Sequence, residues 1–194
     1  MQYILASASP RRQELLKEII AEFEVIPSTF DENGVKSPSI ARLVKRLAEG
    51  KAKEVACRTE NAGKIVVGSD TVVAYGRQVL GKPQDQADAV RMLSLLSGKK
   101  HYVYTGVCFC QCTDGAVKAY TKYAKTAVYF EKLTEEQIKA YVATGSPMDK
   151  AGAYGIQDGG LVKKIKGSYS CVVGLPVELV KKMSRKITEK GLDI

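Results

Sequence analysis

One histidine, His101, is found in the whole chain of 194 residues, and the five cysteines are odd in number. His101 lies seven residues upstream of Cys108, outside the paired spacing of zinc ligands, and no serine–histidine–aspartate or cysteine–histidine arrangement is visible. Cys108, Cys110 and Cys112 alternate along one expected strand, so they share a face and should pack as small apolar groups. No apolar run is long enough to span a bilayer. The N-terminus lacks a basic segment followed by an apolar one and a cleavage site, so a cytoplasmic protein is expected. Internal repeats and low-complexity linkers are also missing. No block of Lys and Arg is interleaved with aromatics, which argues against stable nucleic-acid binding.

What is present is an ordinary folding composition, 45% hydrophobic and 26% charged, in a chain long enough to bury a core without staples. The net charge of +9 favours polyanionic partners, nucleotides or nucleic acid, without separating the two. Alternating strand and helix patterns with inserted hairpins give an α/β class with a mixed sheet.

Leu5-Ala6-Ser7-Ala8-Ser9-Pro10-Arg11-Arg12 joins a short strand, Tyr3 to Ala6, to a helix expected to run to about Ile20. Ser9 is the expected N-cap and Pro10 the first helical residue. Arg11 and Arg12 oppose the partial positive charge of that helix start, a conflict that an external anion would remove. Free N–H groups, two hydroxyls and two guanidiniums suit phosphate oxygens, whereas a capped helix with two solvated arginines would look the same locally.

Phe23 to Ile26 should form a short strand leading to Asp31 and Glu32 on a loop. Ser37-Pro38 should open a longer helix with Ile40, Leu43, Val44, Leu47 and Val55 on one stripe, and Lys51 falls near the middle of it. An inward lysine needs a route to water or an anion. Lys64 to Val67 and Val72 to Ala74 read as two strand runs broken at Gly68-Ser69-Asp70-Thr71, where Asp70 is either a catalytic or metal-binding carboxylate or a strand-end cap.

Gly81-Lys82-Pro83 puts a lysine on a tight loop without P-loop spacing, and Asp85 opens the next helix. The Asp114-Gly115 turn joins strands Tyr102 to Cys112 and Val117 to Phe130, and Thr134-Glu135-Glu136-Gln137 is a capping box. Residues 147–160 have loop composition of functional length. Leu161 to Ile165 and Ser168 to Val173 are expected as a last hairpin over Gly167, before a helix from Leu175-Pro176 to about Ile187. Lys181, Lys182, Arg185 and Lys186 form a solvated face near the end of that helix.

Arg11, Arg12, Lys51 and Lys82 against Glu32 and Asp70 fit a polyphosphate ester held with a divalent cation. At these residues the chain resembles the Maf family of nucleoside-triphosphate pyrophosphatases, also called septum-formation inhibitors. The likeness rests on residues 5–12, Arg46-Leu47-Ala48 with Lys51-Ala52, Gly68-Ser69-Asp70-Thr71-Val72-Val73, and Gly81-Lys82-Pro83. It continues through Asp149-Lys150-Ala151-Gly152-Ala153-Tyr154-Gly155-Ile156-Gln157 and Val173-Gly174-Leu175-Pro176. It implies one domain over residues 1–194, with two lobes around a central nucleotide-binding cleft and hydrolysis of a triphosphate to monophosphate and pyrophosphate. By resemblance Asp70 is the proton acceptor, Glu32 and Asp70 the partners of a divalent metal (Mg or Mn), and Lys51 and Lys82 essential lysines. Ser7, Ser9 and Arg12 are the phosphate-side motif, with Arg11 a general cation. Water activated by Asp70 and the metal would attack the α-phosphorus.

Arg12, Thr71 and Gln157 resemble the dTTP/UTP branch rather than its 7-methyl-GTP sister, and the amide of Gln157 can both donate to and accept from a uracil or thymine edge. Asp158 departs from the pattern, since a glycine commonly comes sooner after the glutamine. A nucleotide- or nucleic-acid-binding regulator of cell division and a hydrolase of modified nucleotides are the alternatives. Nucleoside triphosphates are the expected partners, with no membrane and with a homodimer left open.

Overall fold

Strand β1 (Tyr3–Leu5) shows how the first half of the chain is built: its alternating side chains feed two cores, Ile4 on one face and Leu5 on the other. The computed structural model describes residues 1–192. In chain order β1 is followed by α1 (Pro10–Lys17), β2 (Glu24–Val25), α2 (Ile40–Ala56), β3 (Ile65–Tyr75) and β4 (Gln78–Leu80). Then come α3 (Gln86–Leu96), β5 (Lys100–Thr113), β6 (Ala116–Phe130), α4 (Glu135–Ala143), β7 (Val162–Lys166), α5 (Tyr169–Val173) and α6 (Val177–Lys190). The strands make one mixed sheet in the order β2-β1-β3-β5-β6-β7, with β4 on β3. β1 pairs in parallel with β2 and β3, while β3–β4 and β6–β7 are antiparallel.

The chain divides into two compact units. The first comprises Met1–Asp70, Thr105–Ala124 and the segment from Gly174 on; the second comprises Thr71–Tyr104 and Lys125–Val173. In the first unit Leu5, Ile65, Val67, Val107 and Phe109 of the sheet pack with Leu16 and Ile20 around α1 and with Val180, Met183 and Ile187 of α6. On the opposite face Ile4, Ala6, Val66, Cys108 and Cys110 meet Ala48, Ala52, Val55 and Ala56 of α2. The small side chains of α2 bring it close, and two glycines of the sheet permit the approach: a Cβ on Gly68 would run into the carbonyl of Ala48, and one on Gly106 into that of Val44. Cys108 and Cys110 therefore pack as expected, and burial pushes the Cys110 thiol up to about 12, which keeps it protonated.

In the second unit Val73, Leu80, Val103, Val128 and Phe130 pack against Met92, Leu93 and Leu96 of α3 and Ile138 and Val142 of α4. His101 is fully buried there, its ring edge-on to Phe130 at 4.8 Å, with Nε2 2.8 Å from the Tyr154 hydroxyl. Burial depresses it to about 4, so it is neutral and structural.

Five sequence expectations change. β3 is continuous through Gly68-Ser69-Asp70-Thr71, because its polar residues are satisfied in place: Ser69 Oγ lies 3.0 Å from the carbonyls of Gly106 and Gly174. Helix α2 starts at Ile40, where Ser39 rather than Ser37 accepts from the Arg42 N–H. Helix α1 ends at Lys17, and α6 runs on to Lys190. Residues 169–173 form α5 instead of a returning strand, since Ser168 Oγ accepts from the Cys171 N–H as an N-cap would.

Candidate active site

Helix α2 is amphipathic, and its packing on β3 carries Lys51 to the sheet. The Lys51 ammonium lies 2.5 Å from Asp70 Oδ1 on β3 and 2.8 Å from Glu32 Oε1. Lys51 and Asp70 are largely enclosed, with side chains 14% and 8% exposed, while Glu32 is half exposed. Glu32 reaches the cluster because Phe30, two residues before it, lies against α2 at Gly50, where a Cβ would run into the phenyl ring. Glu54 of the same helix holds the start of that segment, accepting from Ser28 Oγ at 2.8 Å and the Thr29 N–H at 2.9 Å.

Burial raises the pKa of Asp70 above the ordinary carboxylate range, opposed by the charges of Lys51 and Arg12 and the hydrogen bond from Lys51, and aided by Glu32. Burial lowers that of Arg12, against the attraction of Asp70 and Glu32. The Arg12 side chain is fixed from two sides: Nε donates to the Gly174 carbonyl at 3.0 Å and a terminal nitrogen to Ser7 Oγ at 3.3 Å. Ser9 caps α1 as expected, its hydroxyl accepting from the Arg12 N–H, and the first turn carries no acid. Arg11 is half-buried on the same turn.

Glu32, Lys51 and Asp70 are thus brought together in the first unit, which also carries Ser7, Ser9, Arg11 and Arg12. Thr71, Lys82 and Gln157 belong to the second unit. Lys82 and Gln157 are exposed, and the Gly152 N–H donates to the Gly81 carbonyl at 2.9 Å, tying the loop of Lys82 to the glycine-rich segment. The carbonyl of Gly174 and the hydroxyl of Ser69 were not foreseen. Both lie in motifs that carry the family resemblance, and only the bonds to Arg12 and to neighbouring backbone reveal that they act as anchors.

Two carboxylates converging on one ammonium form a hard oxygen donor set that also suits a divalent cation. Among the described residues no group of three His, Cys, Asp or Glu side chains could complete a shell, so water and phosphate oxygens would supply the remainder, as Mg²⁺ commonly requires. Glu32 and Asp70 fit that role.

Residues 2–187 match the family of Maf-like proteins. A dTTP/UTP pyrophosphatase of Clostridium botulinum (strain Kyoto / Type A2) is 46% identical, over 98% of each chain. Proteins of the same name from Agathobacter rectalis and Clostridium novyi are 46% and 47% identical, covering 100% and 94% of this chain and 99% and 96% of their own. Among solved structures, the Staphylococcus aureus Ham1 protein aligns with 98% of this chain and 100% of its own at 15% identity and a TM-score of 0.48.

Proposed function

The chain belongs to the family of Maf-like proteins, and from that membership and the Lys51–Asp70–Glu32 cluster we propose that it hydrolyses dTTP and UTP to the monophosphate and pyrophosphate. The buried Asp70 carboxylate carries the reading. Its raised pKa makes it a stronger base than an exposed aspartate, and the charges of Lys51 and Arg12 favour its ionised form. It accepts the proton of a water that attacks the α-phosphorus, and the bond to the bridging oxygen of pyrophosphate breaks. Lys51, Arg12 and Lys82 offset charge on the phosphate oxygens, which phosphoryl chemistry needs more than a side-chain nucleophile. Ser7 and Ser9 hold the start of α1, and Arg12 with it, toward the anion.

A divalent cation bound by Glu32 and Asp70 would supply charge neutralisation at the phosphates and lower the pKa of water. Thr71 and Gln157 select the base, the amide of Gln157 reading the pyrimidine edge. The test is release of pyrophosphate by the purified protein from a panel of triphosphates with Mg²⁺ or Mn²⁺ and with a chelator. Turnover of dTTP and UTP that is lost with the chelator and in Asp70→Asn is expected. No turnover of any triphosphate, or turnover indifferent to Asp70→Asn, overturns the proposal.

A further inference from the structure

Asp158 lies beside Gln157 and is tied into a polar network within the second unit. The Tyr141 hydroxyl, on α4, donates to Asp158 Oδ2 at 2.5 Å and accepts from the Gly155 N–H at 3.0 Å. Ser146 Oγ, in the 3₁₀ turn after α4, donates to the same carboxylate oxygen at 2.8 Å. Behind Ser146 the Lys150 ammonium, 13% exposed, donates to the Ser146 hydroxyl at 3.0 Å and to its carbonyl, and lies 4.0 Å from Asp158 Oδ2. One phenol therefore grips the turn of residues 155–158 on both sides of Gln157, by backbone on one side and side chain on the other. Burial and the neighbouring carboxylate push Tyr141 up to about 12, so it remains a donor throughout any working pH.

We propose that Tyr141 and Asp158 are positioning residues that aim Gln157, so that base selectivity depends on this clamp as well as on the amide itself. The inference rests on the reading of Gln157 as the pyrimidine-recognising group. An amide discriminates a base only if its donor and acceptor are held in register with the base edge, and a displacement of about 1 Å can cost two orders of magnitude. Gly159 and Gly160, at φ of 74° and 70°, follow immediately and give the backbone no stiffness of its own, so the hydrogen bonds to Asp158 and Gly155 supply it. Ser146 and Lys150 complete the chain of donors, the Lys150 ammonium donating to the Ser146 hydroxyl and that hydroxyl to Asp158.

The test compares kcat and KM for dTTP, UTP and dGTP in the wild type, Gln157→Ala, Tyr141→Phe, Asp158→Ala and Asp158→Asn, each assayed below its measured unfolding temperature. Tyr141→Phe and Asp158→Ala should raise KM for dTTP and UTP about tenfold with kcat nearly unchanged, and move the dTTP/dGTP selectivity toward that of Gln157→Ala. Asp158→Asn, which keeps an acceptor oxygen, should retain most of the selectivity. The double variant Gln157→Ala/Asp158→Ala should be no less selective than Gln157→Ala alone. If Gln157→Ala loses selectivity while Tyr141→Phe and Asp158→Ala keep it, the clamp is overturned and the role of Gln157 stands. If Gln157→Ala keeps selectivity, both fall.

Discussion

Asp70 and His101 are both buried titratable side chains, and burial moves them in opposite directions with different consequences. For Asp70 desolvation raises the pKa, and Lys51 is the first charge opposing it. A general base must be ionised, so kcat/KM should fall on acidification through a pKa above the ordinary carboxylate range. Lys51→Met removes the principal opposing charge and should shift that acid limb to still higher pH, measurable in the pH–rate profile. His101 folds as a neutral ring with its pKa lowered from 6.5 to about 4. As pH falls through 6.5 the unfolded chain takes up the proton first, so stability present above that value is lost toward pH 4. Between neutral pH and about pH 4.5 the loss should be about 2–3 kcal/mol. His101→Gln, which can still bond the Tyr154 hydroxyl, should lose less over the same interval in urea titrations.

At the scale of elements, the site depends on how α2 lies on β3. The alanines at 48 and 52 and the missing side chain of Gly68 set that distance, and Lys51 reaches Asp70 because of it. Gly68→Ala should destabilise the protein by about 1–3 kcal/mol, since the clash is with backbone that cannot rotate away. Activity should fall further than stability at temperatures where the variant is still folded, which thermal unfolding and kinetics on the same preparation would separate. Ser69 shows the same dependence from the other direction. Its hydroxyl fixes β3 beside Asp70 through carbonyls 37 and 105 residues away.

For the whole molecule, strands β3, β5 and β6 each contribute residues to both units, and each unit has its own apolar core. The net charge of +9 attracts a triphosphate over distances that salt screens. Between dilute buffer and about 0.5 M KCl, kcat/KM should fall by about tenfold while kcat holds. A kcat/KM indifferent to salt would mean that only the short-range contacts at the site matter.

The sequence by itself determined the features whose causes act within one or two turns of chain. Ser9 with Pro10, Asp85, the Thr134 capping box and the Asp114-Gly115 hairpin, with φ of 51° and 77°, all stand where local chemistry requires them. The inward Lys51 likewise announced its need for an anion before any partner was known. Ser168 carries a local signal too, since its hydroxyl accepts from the Cys171 N–H where a strand was expected. The tertiary structure decided what depends on distant partners. The continuity of β3, the anchoring of Arg12 by a carbonyl 162 residues away, and the meeting of Glu32, Lys51 and Asp70 are not properties of any short window. The physical reason is that a polar group's place is fixed by whatever satisfies it when it is buried, and in this protein those partners are supplied by packing rather than by sequence neighbours.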